Sequence, residues 1–180
     1  MILIAPEERR WLLRNLALGL VEYLGVAEPP VPVEALLRHP PSVLESDLGL
    51  VEMYSNLWDA TFARLTDLRG SIFVRIGLPS HERRFALARE LLRALVTSEH
   101  GRAMGLPEML LPELQECSEY FARQFLAPEA LVAAYRKRGG DRALFGETFD
   151  LPAPVASSRW EDAPVMSLEV RPESRLERAE

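Results

Sequence analysis

Cysteine and lysine are almost missing from this chain of 180 residues. Cys117 is the lone cysteine, so no internal disulfide can form, and a reducing, cytoplasmic location is expected. Of the 21 basic residues, only Lys137 is a lysine. Amides are just as scarce, with only Asn15, Asn56, Gln115 and Gln124. So few thermolabile amides give a thermophile-like composition. No apolar run reaches the roughly 18 residues of a membrane span, and no membrane association is expected. Met1 to Pro6 carry no basic residue before Glu7 and Glu8, so a secretory leader is not expected. Positive charge is in deficit, with 21 basic against 27 acidic residues and a net charge of -6. That balance speaks against a nucleic-acid partner held by phosphate neutralisation.

What remains is the composition of a folded globular protein, 48% apolar and 27% charged. The patterning assigns residues 1–162 to one domain and 163–180 to a charged, Pro-containing C-terminal tail, in which Val165 to Val170 have the makings of an edge strand. Pro6, Glu7 and Glu8 open a helix that Gly25 stops, with Trp11, Leu12, Leu16, Leu20 and Leu24 at helical spacing. A short helix is predicted over Val33 to Arg38, between Pro-rich links. Three strands are predicted at Gly49–Tyr54, Ala60–Leu65 and Ser71–Ile76, with turn residues between them. Short connections suggest an antiparallel meander. A helix follows from Ser80, a candidate N-cap, to about Ser98, with Phe85, Ala88, Leu92, Leu95 and Val96 as its apolar stripe. Met104 to Leu111 reads as a loop, Pro112 to Phe125 as a helix, and Pro128 opens another to Arg138. The cluster Arg136-Lys137-Arg138 suits the negative end of that helix. Short helices are predicted near Arg142–Phe145 and Pro152–Trp160. The fold class is therefore α+β: a small antiparallel three-stranded sheet packed with several helices.

The stretch Arg84-Phe85-Ala86-Leu87-Ala88-Arg89-Glu90-Leu91-Leu92-Arg93 resembles the active-site helix of the ImmA/IrrE metallopeptidase-like family, the minimal zincins. That helix reads approximately R-F-T-L-A-H-E-L-G-H. Downstream, Phe121-Ala122-Arg123-Gln124-Phe125-Leu126-Ala127-Pro128 resembles the family's F-A-A-x-L-L-M-P segment. Phe149-Asp150-Leu151, Val155-Ala156 and Arg159-Trp160 give a weaker third match. The motifs stand in the family's order, and the resemblance covers roughly residues 6 to 162. It implies a zincin-like fold.

In the intact motif two histidines four apart share one helix face and bind one zinc ion. The glutamate between them acts as general base on the zinc-bound water. A carboxylate from a later helix, four residues before the phenylalanine of F-A-A, completes the ligand set in this family. Here Arg89 and Arg93 stand at the histidine positions, Glu90 keeps the general-base position, and Cys117 falls at the third-ligand position. Guanidinium groups stay protonated and offer a metal no lone pair. No metal, no cofactor and no catalytic residue are therefore expected; Arg89, Glu90, Arg93 and Cys117 mark a degenerate site. Arg89 and Arg93 are expected to pair with Glu90, Glu116 or Glu119, in place of the charge of zinc. The competing arrangement is a solvated charged face. His81 and His100 flank the signature helix about 28 Å apart, too far to share an ion, and His39 lies elsewhere.

The resemblance implies a catalytically inactive pseudopeptidase that binds a protein or peptide, a helix-turn-helix repressor being the family's usual partner. Addition of a peptide strand to an open sheet edge is the expected mode. The alternative is an active hydrolase with a non-standard metal site, built from Cys117, a histidine and Glu116 or Glu119. DNA binding through the helices of Arg142 to Trp160 is the third reading, disfavoured by the acidic net charge.

Overall fold

The computed structural model describes residues 4–64 and 69–162. The α+β class holds: helices surround one three-stranded sheet. Helix α1 spans Pro6–Leu24. Pro6 supplies its fixed φ, the Glu8 carboxylate accepts the Ala5 N–H at 3.0 Å, and Gly25 closes the helix at φ 62°. Its buried face is Leu13, Ala17, Leu20 and Val21, while Trp11 is 61% exposed. The apolar stripe is thus rotated from the one the spacing suggested, because a run of leucines offers more than one helical face. Helix α2 follows at Val33–Arg38, then a 3-10 turn at Ser42–Leu44.

Strands β1 (Leu50–Met53), β2 (Ala60–Ala63) and β3 (Ser71–Arg75) form the sheet in the order β1-β3-β2. The sheet is mixed, not the antiparallel meander expected: β1 runs parallel to β3, and β2 antiparallel to it. Residues 54–59 carry the chain past the end of β3. Ser55 Oγ accepts the N–H groups of Leu57 and Trp58, which turns this link, and the Arg75 N–H bonds the Asp59 carbonyl at its far end. Burial decides the order. Ile72 and Val74 are wholly buried, so β3 takes the centre, whereas β1 is largely exposed and lies at an edge. Strand propensity reports neither property. Part of the β2–β3 link, residues 65–68, lies outside the described residues, as does the tail with its expected edge strand at 165–170.

Helix α3 (Ser80–Thr97) is the centre of the molecule, buried almost all round. Pro79, not Ser80, is its N-cap; Ser80 instead donates its hydroxyl to Asp150 at 2.5 Å. The expected loop after it contains two helices, α4 (Glu99–Ala103) and α5 (Leu106–Leu110), which bury Gly101, Leu106 and Leu110. A 3-10 turn at Leu111–Glu113 leads into α6 (Leu114–Leu126). Helix α6 lies between α1 and α3, and α3 in turn covers the sheet through β2 and β3. Helices α7 (Glu129–Lys137), α8 (Arg142–Phe149) and α9 (Ala153–Asp162) complete the described chain. Tyr135, Phe145, Phe149 and Trp160 form an aromatic cluster there, with Phe145 and Phe149 centroids 4.6 Å apart.

Candidate functional site

Glu90 projects from the middle of α3 toward β2 and is 3% exposed. Its Oε2 accepts the Phe62 N–H at 2.8 Å. That amide points away from β3, along the outer edge of β2, where a peptide strand would otherwise pair. Its Oε1 lies 3.2 Å from Arg93 Nη1, one turn along the helix. Burial pushes the Glu90 carboxyl above the ordinary range; the Phe62 N–H, then Arg93 and Arg89, pull it back down. Both oxygens of the general-base position are thereby engaged within the fold.

Arg93 bridges two elements. Its Nη2 donates to Gln115 Oε1 of α6 at 2.9 Å, and Gln115 Nε2 donates to Glu119 Oε1 at 2.6 Å. The expected arginine–carboxylate pairing is formed between Arg93 and Glu90, and extends to Glu119 only through Gln115. Arg89 makes a different contact: its guanidinium lies 5.4 Å from the Phe85 ring centroid.

Cys117 is not with them. Two residues from Gln115 means about 200° of helical rotation, which turns Cys117 toward α1. There it lines a groove with Arg9, Leu13, Glu116 and Tyr120. The thiol is 2% exposed, and burial pushes its pKa up. Glu116 and Glu119 line that groove too, and Glu116 forms no ion pair with Arg89 or Arg93. Among the described residues no three His, Cys, Asp or Glu side chains come together as metal ligands. His39 and His100 are exposed, and His81 is half-buried near the start of α3. The residues at the resembled zinc positions do not fit a zinc ion: two are cations, and the thiol faces another groove.

The other motif residues hold the fold together. Arg84, buried at 8% exposure, donates to the carbonyls of Phe149 and Asp150 at 3.0 Å and of Val31 at 2.7 Å. The Asp150 carboxylate stands 3.1 Å away. Burial lowers the Arg84 pKa, with Asp150 opposing. Arg159, 1% exposed, donates its Nε to the Ala127 carbonyl at 2.8 Å, at the end of α6. Phe121 and Phe125 stack with centroids 5.8 Å apart, inside the core.

Sequence reasoning expected Arg89 and Arg93 to pair with Glu90, Glu116 or Glu119, and of these the structure forms the Arg93–Glu90 pair. It missed the Phe62 amide, a backbone group that carries no side-chain signal. It also missed the anchoring role of Arg84, whose partners are carbonyls from segments 53 to 66 residues away. No described helix is long and apolar enough to cross a membrane. No family model matches this chain, and no curated protein matches it in sequence.

Proposed function

We propose that this chain is a binding protein of the ImmA/IrrE type that has given up hydrolysis, a pseudopeptidase that captures a protein or peptide. The observation that carries the reading is the engagement of Glu90. A general base must face the substrate water, and Glu90 is buried, with both oxygens turned to groups of the fold. Here one carboxylate oxygen takes the Phe62 N–H and the other faces Arg93. Two guanidinium groups at the ligand positions repel a divalent cation. Arg93 is compensated by Glu90, but Arg89, half-buried on the same face against Phe85, offers a guanidinium suited to an acidic or carbonyl-rich partner segment. The partner class comes from the resemblance of the Arg84–Arg93 and Phe121–Pro128 segments: a helix-turn-helix repressor.

The test mixes the purified chain with a helix-turn-helix repressor and with extended acidic peptides, with and without added zinc. Calorimetry reads binding and mass spectrometry reads cleavage. The expected result is a stoichiometric complex with every peptide bond intact. Weakening of that complex by Arg89→Ala would place the contact on the α3 face. Zinc-dependent cleavage that disappears in Glu90→Ala would replace this reading with the hydrolase alternative. No binding to either class of ligand would remove it.

A further inference from the structure

Helix α9 ends against α6 and close to α1. The Asp162 carboxylate stands 3.3 Å from Arg123 Nη2, and Arg159 holds the Ala127 carbonyl one turn earlier. The Tyr120 hydroxyl, its pKa raised chiefly by burial, feels Arg14 and Arg10 of α1 as well as Arg159 and Asp162 of α9. Beside this junction an open groove of about 490 Å³ runs between α1 and the end of α6 with the start of α7. Trp11 and Leu18, two helical turns apart and 61% and 45% exposed, line it from α1, and Ala130 and Ala133 line it from α7. Gln124 of α6 lines it too. Its side chain is only 6% exposed, yet it makes no hydrogen bond among the described residues. Native structures rarely leave a buried amide unsatisfied. This one lacks an acceptor and a donor side by side, which an extended peptide backbone offers and a helix or an aliphatic chain does not. Arg14, on the same groove, has no ion pair among the described residues.

We infer that this groove is the seat of the chain's own segment 163–170, laid in as an extended strip. The segment starts at Asp162, beside the groove, and lies outside the described residues. Its sequence has the complementary pattern. In an extended chain Pro164, Met166, Leu168 and Val170 share one side, and Ala163, Val165, Ser167 and Glu169 the other. One side is wholly apolar and matches Trp11, Leu18 and the two alanines. Pro164 turns the residue before it away from helical geometry, so the chain departs from α9 extended. Six residues beyond Asp162 reach about 20 Å, enough to bring Leu168 along the groove. Glu169 supplies the carboxylate that Arg14 lacks, and the segment's backbone supplies both partners for the Gln124 amide. The tether decides between this occupant and a free peptide of similar pattern. A few residues of linker hold the segment at an effective concentration on the order of millimolar, which a free partner at micromolar levels does not match.

The test is paramagnetic broadening in the isotope-labelled full chain. Ser167→Cys, on the polar side of the segment, carries a nitroxide label, while the buried Cys117 stays unlabelled. The signals read are the Trp11 indole N–H, identified by its loss in Trp11→Phe, and the Gln124 side-chain amide. The expected result is loss of most of their intensity, with recovery when Met166→Asp and Leu168→Asp are added to the labelled chain. Signals that keep their intensity in the labelled chain overturn the inference. Broadening that survives the two aspartates reflects the tether alone and overturns it as well. A mixture of isotope-labelled parent with spin-labelled chain free of isotope is expected to leave the signals sharp. Broadening in that mixture would give the groove to the segment of a second copy and overturn the intramolecular seat.

Discussion

Removing the Glu90 side chain separates a structural from a catalytic use of this carboxylate. Glu90→Ala strips the Phe62 N–H of its acceptor at 2.8 Å and leaves Arg93 without its 3.2 Å partner. A hydrogen bond to a charged group contributes about 1.5–3 kcal/mol, and an orphaned buried amide costs about 1–3 kcal/mol. These describe one loss from two sides and are not summed. The Arg93 side chain is 36% exposed and regains water, so its share is small, about 0–1 kcal/mol. Relief of the buried charge, the same burial that raises the Glu90 pKa, offsets part of the loss. The net expectation is a destabilisation of about 1–3 kcal/mol for Glu90→Ala. Glu90→Gln keeps a carbonyl for Phe62 and is expected to stay within about 1 kcal/mol of the parent. Urea unfolding followed by circular dichroism measures both, read as a shift in midpoint at constant slope. Hydrogen exchange at the Phe62 amide supplies the local signal, faster in the alanine variant only. An alanine variant as stable as the parent, or more stable, would refute the reasoning. That outcome is the signature of a strained functional residue released from its task.

Arg84, Cys117, the titration of Glu90 and that of Glu34 give four further expectations. Arg84→Ala should cost about 3–5 kcal/mol, because three carbonyls from two distant segments lose one shared donor, and Arg84→Lys should not restore the loss, since an ammonium cannot reproduce the guanidinium fork; thermal unfolding of both variants checks this. Cys117 should resist a thiol reagent such as Ellman's in the native protein and react fully in denaturant, given a thiol that is 2% exposed with a raised pKa. Stability should fall as pH rises from the ordinary glutamate value near 4.3 through the raised folded value of Glu90, because in that window the folded state binds more protons than the unfolded one. Glu90→Gln should remove this slope from a pH series of urea midpoints. Glu34 has the opposite sign: Arg83 holds its carboxyl low, so its contribution is lost as pH falls through the folded value.

Much of the local architecture could be read from the chain alone. Pro6, Glu7 and Glu8 before a leucine-rich run and Gly25 after it mark α1, because helix ends need dipole partners and a left-handed stop. The α+β class followed from helical and alternating periods in different stretches. The shared face of Glu90 and Arg93 followed from spacing of one helical turn, and their pairing bears it out. In each case the determining interactions lie within a few residues, so the sequence contains both partners side by side.

Only the tertiary structure decided the rest. The order β1-β3-β2 depends on which strand is buried between two others, a matter of tertiary packing that no strand's own residues declare. The helices α4 and α5 sit where a loop was expected, since packing of Leu106 and Leu110 outweighs weak local propensity. Cys117 faces α1 and Gln115 faces Arg93 because packing against two helices sets the rotation of α6. Glu90 spends its acceptors on Arg93 and on a β2 amide 28 residues away, which fold topology alone brings within reach. Sequence periodicity says which residues share a face; the surface that each face meets is settled by the whole chain at once, through the burial of one common core.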